Sequence, residues 1–284
     1  MASFQLELSY WLHGLGEIAR TQGRFDEARG LHLRSLAIRD KVLPADSRIL
    51  VGTIRALAVM ADAEGRYADA AKAYERLVKI AADDANMART FEGLANSYYG
   101  LGLYRDAEPV YKRALEMTEK AHGPDPHVAG ILNNLANLYE AQGRYFDVEP
   151  LHKRALAIRE KHLGPDHEDV AASLHNLADL YQNLGRFQEA QQLEKRALDI
   201  KEKTLGPNHG AFGQSLMVLA HIYGSLGRYE DAEPLIRRAV AIYEKMPECN
   251  ISGRWPELFK RLRNFVKFRV STTRRKISCN APLA

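Results

Sequence analysis

The side chains best suited to chemistry in this sequence fall into two sets, amides and histidines. Asn133, Asn134 and Asn137 are followed one repeat-length later by His175, Asn176, Asp179, Gln182 and Asn183, and Gln214 and His221 continue the series. An amide offers both a donor and an acceptor, so a row of them can pair with the backbone of an extended peptide without demanding a particular ligand side chain. The same amides can instead satisfy one another between neighbouring helices. Both readings stand at this level, and the peptide reading assigns Asn134 and Asn176 as contacts to the ligand backbone.

Ten histidines invite a metal or acid-base hypothesis. His32 and His152 take the helix position that Tyr111 holds in another unit, and His167 and His209 share a loop position, so repetition accounts for them without a metal. There is no HExxH, no phosphate-loop motif, and Gly14-Leu15-Gly16 is a fragment of GxGxxG without a preceding strand. Cys249 and Cys279 are too few for a disulfide framework and have no metal-ligand spacing. No catalytic residue, cofactor, metal or small-molecule substrate is therefore expected, and the chain does not read as an enzyme. The Asn250-Ile251-Ser252 sequon matters only in a secreted chain.

What must position these groups is a repeat. Gly23-Arg24-Phe25, Gly65-Arg66-Tyr67, Gly102-Leu103-Tyr104, Gly143-Arg144-Tyr145, Gly185-Arg186-Phe187 and Gly227-Arg228-Tyr229 recur at spacings of 42, 37, 41, 42 and 42 residues. Self-similarity at a fixed period marks a solenoid, here of six units at about 9–50, 51–87, 88–128, 129–170, 171–212 and 213–248. The second is short and lacks the Gly-Pro-Asp type of loop. In the fourth, Val128, Ile131, Leu132, Leu135, Leu138 and Tyr139 recur at helical steps; Gly143 ends that helix, and Tyr145, Val148, Leu151, Ala155, Leu156 and Ile158 stripe a second. Gly164-Pro165-Asp166 closes the pair, with the aspartate expected to accept from the free amides of the next helix, and Asp125-Pro126 reads as an N-cap with proline at the first helical position. Alanines recur where helices must approach closely, at 136, 178 and 220 in first helices and 114, 155, 197 and 239 in second ones. One such pair cannot bury its apolar face alone, so the units must stack and the ends need polar caps.

Apolar residues make up 46% and charged residues 27% of the chain, ordinary values for a folded protein. No run of eighteen apolar residues occurs, and the first twenty residues lack the basic, apolar, small-residue order of a leader, so a soluble cytoplasmic chain is expected. The net charge of +4 hides an asymmetry: nine Lys or Arg and one acid lie between Arg254 and Lys276, leaving the repeats net acidic. Trp255, Leu258, Phe259, Leu262, Phe265 and Val266 share one helical face there, with Lys260, Arg261, Arg263 and Lys267 on the other. Residues 252–270 read as a basic amphipathic helix capping the last unit; residues 255–276 equally have the charge and amphipathicity to meet an anionic membrane surface. Residues 271–284 read as disordered, and nucleic-acid binding is not expected beside an acidic body with no recognition motif. Lys153, Arg154 and Arg159 read as a solvated outer face, whereas Arg55 and Arg89 are too isolated to clamp a ligand carboxylate.

The segments Leu132-Asn133-Asn134-Leu135-Ala136-Asn137-Leu138-Tyr139, Lys153-Arg154-Ala155-Leu156-Ala157-Ile158-Arg159-Glu160-Lys161 and Leu163-Gly164-Pro165-Asp166-His167 resemble tetratricopeptide repeats, specifically the 42-residue variety of kinesin light chains and bacterial relatives. The resemblance runs from about Ser9 to about Glu248. It implies an all-α right-handed superhelical solenoid whose first helices line a concave groove for a protein or peptide partner, with asparagines gripping the ligand backbone. The Asn-Asn-Leu-Ala signature is absent from the first three units, which read Gly14-Leu15-Gly16, Ala56-Leu57-Ala58 and Gly93-Leu94-Ala95, so groove chemistry belongs mainly to units four and five. Kinesin light chains carry a long heptad coiled coil before their repeats; about eight residues precede the first unit here, so motor coupling is not expected. The function expected is a scaffold or adaptor, with a membrane-surface adaptor and a kinesin-light-chain-like cargo adaptor as alternatives.

Overall fold

A computed structural model describes residues 2–81 and 86–245. Twelve helices and no strand occur among the described residues: α1 (Ala2–Thr21), α2 (Phe25–Val42), α3 (Leu50–Ala63), α4 (Tyr67–Ile80), α5 (Met87–Gly100), α6 (Tyr104–His122), α7 (Pro126–Ala141), α8 (Tyr145–Leu163), α9 (Glu168–Asn183), α10 (Phe187–Leu205), α11 (Gly210–Ser225) and α12 (Tyr229–Tyr243). They form six pairs, each packed on itself and on the next, giving an all-α repeat solenoid. No described helix is long and apolar enough to cross a membrane. The basic helix expected at 252–270, the tail at 271–284 and the end of the sixth unit lie outside the described residues.

Each pair turns at its Gly-x-aromatic segment. Gly143 has a φ of 73°, a left-handed conformation that a side chain would strain. The turn closes through Gly143 N–H donating to Glu140 O (2.9 Å) and Arg144 N–H to Tyr139 O (2.8 Å). The arginine of this turn has a second task. Its guanidinium stacks over the last tyrosine of the preceding helix, at 3.9 Å for Arg144 on Tyr139 and 3.8 Å for Arg186 on Tyr181. It also reaches the previous unit: Arg186 Nη1 and Tyr181 Oη both donate to Glu149, each at 2.8 Å, and Lys153 joins them at 2.7 Å. Arg144, Tyr139 and Lys112 hold Glu108 the same way.

Starts of the first helices differ in part from expectation. Asp125 caps α7, accepting from Val128 N–H at 3.0 Å, with Pro126 in the first turn. In the two following units the cap is histidine: Nδ1 of His167 accepts from Asp169 N–H (3.1 Å) and Nδ1 of His209 from Ala211 N–H (3.2 Å). Asp166 lies one residue too early and pairs with Lys203 at 3.6 Å. Because capping fixes the first turn, α7, α9 and α11 begin slightly ahead of the unit boundaries read from the sequence.

The core runs continuously from unit to unit. Tyr111, Ile131, Leu135, Leu138, Leu177, Leu180 and Ile222 belong to one buried cluster spanning four units, and Ala114, Ala136, Ala155, Ala178, Ala197 and Ala239 are all fully buried. On the second helices a ladder of ion pairs joins neighbours at equivalent positions: Arg76–Asp40 (2.5 Å), Arg154–Glu119 (2.5 Å), Arg196–Glu160 (2.6 Å) and Arg238–Glu202 (2.8 Å). These are exposed enough that each is worth at most ~1 kcal/mol, so they set register more than stability. Leu8, Trp11, Leu15 and Ile18 are exposed, Trp11 at 74%, whereas their equivalents Val128, Ile131, Leu135 and Leu138 are buried.

Two outcomes follow from this packing. Ala178→Leu has no space to fill and should cost ~1–3 kcal/mol in urea unfolding, with hydrogen exchange rising in α8 and α10 as well as α9; a change confined to α9 would contradict nearest-neighbour stacking. Bonds from Lys153, Tyr181 and Arg186 depress Glu149 from 4.5 to about 2. A carboxylate depressed in the folded state stabilises it above its unfolded value and loses that contribution as pH falls through the folded one. The urea-midpoint gap between wild type and Glu149→Gln should therefore be open above about pH 5 and close as pH approaches 2; a pH-independent gap would be incompatible with this clamp.

Candidate peptide-binding face

Residues at steps i, i+4, i+7 and i+11 of a helix share one face. In α7, α9 and α11 these steps carry Gln214; then Asn134 and Asn176; then Asn137, Asp179 and His221; then Asn183. Asn137, Asp179, Asn183 and His221 are exposed, and Asn134, Asn176 and Gln214 are partly so. Three successive first helices thus present one polar stripe, which Asn96 of α5 extends.

Part of the stripe is tied down across helices. Asn134 Nδ2 donates to Glu92 Oε1 (3.3 Å), while His127 Nε2 donates to the other oxygen, Oε2, at 2.8 Å. Tyr111 Oη donates to Asn96 Oδ1 at 2.6 Å. His221 Nδ1 donates to Gln182 Oε1 at 3.0 Å, leaving Gln182 Nε2 buried without a partner. Ser97 reaches Asp62 from α5 to α3 (3.4 Å), and burial pushes the Asp62 carboxyl up from 3.8. Among the described residues, Asn137, Asn176, Asn183 and Gln214 make no hydrogen bond through their side chains. Some amides thus bond to neighbouring helices, and others are left with no partner among the described residues.

Asn133 and His175 stand one residue off the stripe and turn toward the second helix of their own unit. Asn133 is only 8% exposed. It donates to His152 Nδ1 (3.1 Å) and accepts from Arg159 Nη1 (2.9 Å). His175 donates to the fully buried Glu194 at 3.0 Å. Arg159 is therefore no outer-face residue. Its guanidinium continues to Ser173 Oγ of the next unit at 2.7 Å. Arg39 does the same with Thr53 (2.6 Å) and Lys201 with Ser215 (2.8 Å), where burial lowers the lysine from 10.5. The sequence signal was present in alignment: Arg39, Arg159 and Lys201 share one repeat position, and Thr53, Ser173 and Ser215 another.

A family model described as tetratricopeptide repeat matches residues 7–83, 86–145, 127–203 and 195–245. The chain belongs to the tetratricopeptide repeat family. No curated protein matches it. Among solved structures, this tetratricopeptide chain is similar to BtubC (BKLC) from P. vanneervenii, at 22% identity and TM-score 0.64 over 89% of this chain and 95% of that one. It is also similar to nearly identical TPR-like repeats assigned to a kinesin light chain of Podosopora anserina, at 23% identity and TM-score 0.50 over 87% and 99%. A Rap protein complexed with competence and sporulation factor matches at 15% identity and TM-score 0.52 over 84% and 75%. At these identities the likeness establishes the fold alone.

In this tetratricopeptide fold the buried cation between units holds the stripe in register. Arg159→Ala leaves Asn133 Oδ1 and Ser173 Oγ without their donor and should cost ~1–3 kcal/mol in urea unfolding. A loss below ~0.5 kcal/mol would be the signature of a solvated surface arginine instead.

Proposed function

We propose that the chain is a protein-interaction scaffold that takes an extended peptide, or an extended segment of a partner protein, along the stripe on α7, α9 and α11. The observation that carries this reading is the set of amides without intramolecular partners, Asn137, Asn176, Asn183 and Gln214, spaced along one face of successive first helices. Each offers a donor and an acceptor at a partly or fully exposed position, matching the alternating N–H and C=O groups of an extended backbone. Asn134 keeps its carbonyl oxygen to accept from a ligand N–H while its amino group holds Glu92. The tetratricopeptide fold supports interaction scaffolding in general, and a similar fold occurs in the Rap protein complexed with competence and sporulation factor. Asn133 and His175 act behind the stripe, fixing the paired helices that carry it.

Affinity capture with mass spectrometry tests this on three forms of the protein: wild type, Asn134→Ala with Asn176→Ala, and Arg113→Ala on the outer face. A specific partner should be recovered by wild type and Arg113→Ala and bind the double variant roughly 10-fold or more weakly, since two backbone bonds are lost. Circular dichroism should be unchanged in all three. Full affinity in the double variant would exclude the stripe as the ligand site.

A further inference from the structure

The repeat aligns three positions in each unit, one on the first helix, a second four residues on, and a third on the second helix, and in several units their side chains meet. In the third unit they are Glu92, Asn96 and Tyr111; in the fourth, Asn133, Asn137 and His152; in the fifth, His175, Asp179 and Glu194. These positions resolve into direct bonds, from Tyr111 to Asn96, between Asn133 and His152, and from His175 to Glu194. The first unit holds His13, Glu17 and His32 instead, and one ligand atom from each lies within 4.8 Å of the others.

This cluster is not closed by its own hydrogen bonds. His13 Nδ1 and His32 Nδ1 lie 3.2 Å apart and share one proton. His32 is fully buried, yet its Nε2 has no hydrogen-bond partner, although Glu17 Oε1 stands 3.4 Å away. If His32 carries its proton on Nδ1, the Nε2 lone pair faces a carboxylate oxygen with nothing between two acceptors. If it carries it on Nε2, that donor is buried without an acceptor in line, at the cost of an unmade bond. A cation between the two atoms removes the conflict.

The surroundings orient the three groups independently of one another. Arg20 donates to Glu17 Oε2 through Nε (3.0 Å) and Nη2 (2.8 Å), leaving Oε1 turned to His32. His32 presses against α1 where the chain has Gly16; a β-carbon there would stand 2.7 Å from His32 Cε1. The equivalent residues in the other units are Ala58, Ala95, Ala136, Ala178 and Ala220, so the close approach of this imidazole to a glycine is particular to the first unit. Arg39 donates to Ser9, the Ile49 carbonyl and Thr53, and Thr53 Oγ1 in turn stands 3.4 Å from His13 Nδ1.

We propose that His13, Glu17 and His32 form a binding site for a divalent transition-metal ion of the zinc type, which clips α1 to α2 in the terminal unit. Two imidazoles and one carboxylate are a donor set for zinc rather than magnesium or calcium, which take oxygen ligands. The ion bridges the two helices of one unit, adding cohesion within a pair whose α1 leaves Leu8, Trp11, Leu15 and Ile18 exposed.

The full chain, stripped of metal with chelator, is titrated with Zn²⁺ alone against a chromogenic competitor, and its melting temperature is followed with and without the metal. Wild type should bind one zinc per chain at the tight site and melt higher with zinc, reversibly on adding chelator. The informative variant is His13→Asn with Glu17→Asn, which gives the first unit the set that already folds around His152 in the fourth. Loss of a direct ligand costs at least as much as loss of an outer partner, so its affinity should fall by roughly 10- to 100-fold or more, with the zinc-dependent rise in melting temperature abolished. Circular dichroism without metal should match wild type. Equal zinc affinity in the variant, or no saturable zinc binding by wild type, would overturn the proposal.

Discussion

Every feature of this protein depends on a helix pair being unable to bury its own apolar face. Val128, Ile131, Leu135 and Leu138 are buried in clusters that join their own unit to its neighbours, Val128 with Leu115 as well as Ala155 and Ile158. Alanines at the crossing points let the backbones approach closely enough for that contact to exclude water. On α1 the same positions expose Leu8, Trp11, Leu15 and Ile18. Stability in such a stack is a sum over neighbours, so polar groups between units matter as much as those within one.

Three polar systems serve that stacking. Arginine–acid pairs run along the second helices, buried cations from Arg39, Arg159 and Lys201 reach a hydroxyl in the next unit, and Glu108 and Glu149 gather a tyrosine, an arginine and a lysine across the join. The first is solvated and shallow. The second lies in low dielectric, where an unpaired donor is costly, and so specifies one register. With register set, the stripe on the first helices becomes a continuous surface rather than a set of unrelated faces.

The stripe was partly legible in the residue pattern. Helical spacing alone places Asn134, Asn137, Asn176, Asp179 and Asn183 on one face, because that face is a property of the helix. It does not separate Asn133 and His175 from the rest, since these sit at the edge where a rotation of one residue exchanges groove for interior. Arg159 was misplaced for the same reason: a long side chain at the border of the outer face can be drawn inward by Asn133 and Ser173, and neither partner is near it in sequence.

By itself the sequence determined the all-α repeat, its six turns and its alanine crossings, because these arise from local backbone preference and from a periodicity that repeats. Tertiary structure decided which amides are spent on neighbours and which remain open, which histidine caps a helix, and which three first-unit side chains converge. Those outcomes depend on distances between groups tens of residues apart. In the case of His13, Glu17 and His32, the repetition that made His32 look ordinary concealed that one ligand atom from each of the three lies within 4.8 Å of the others.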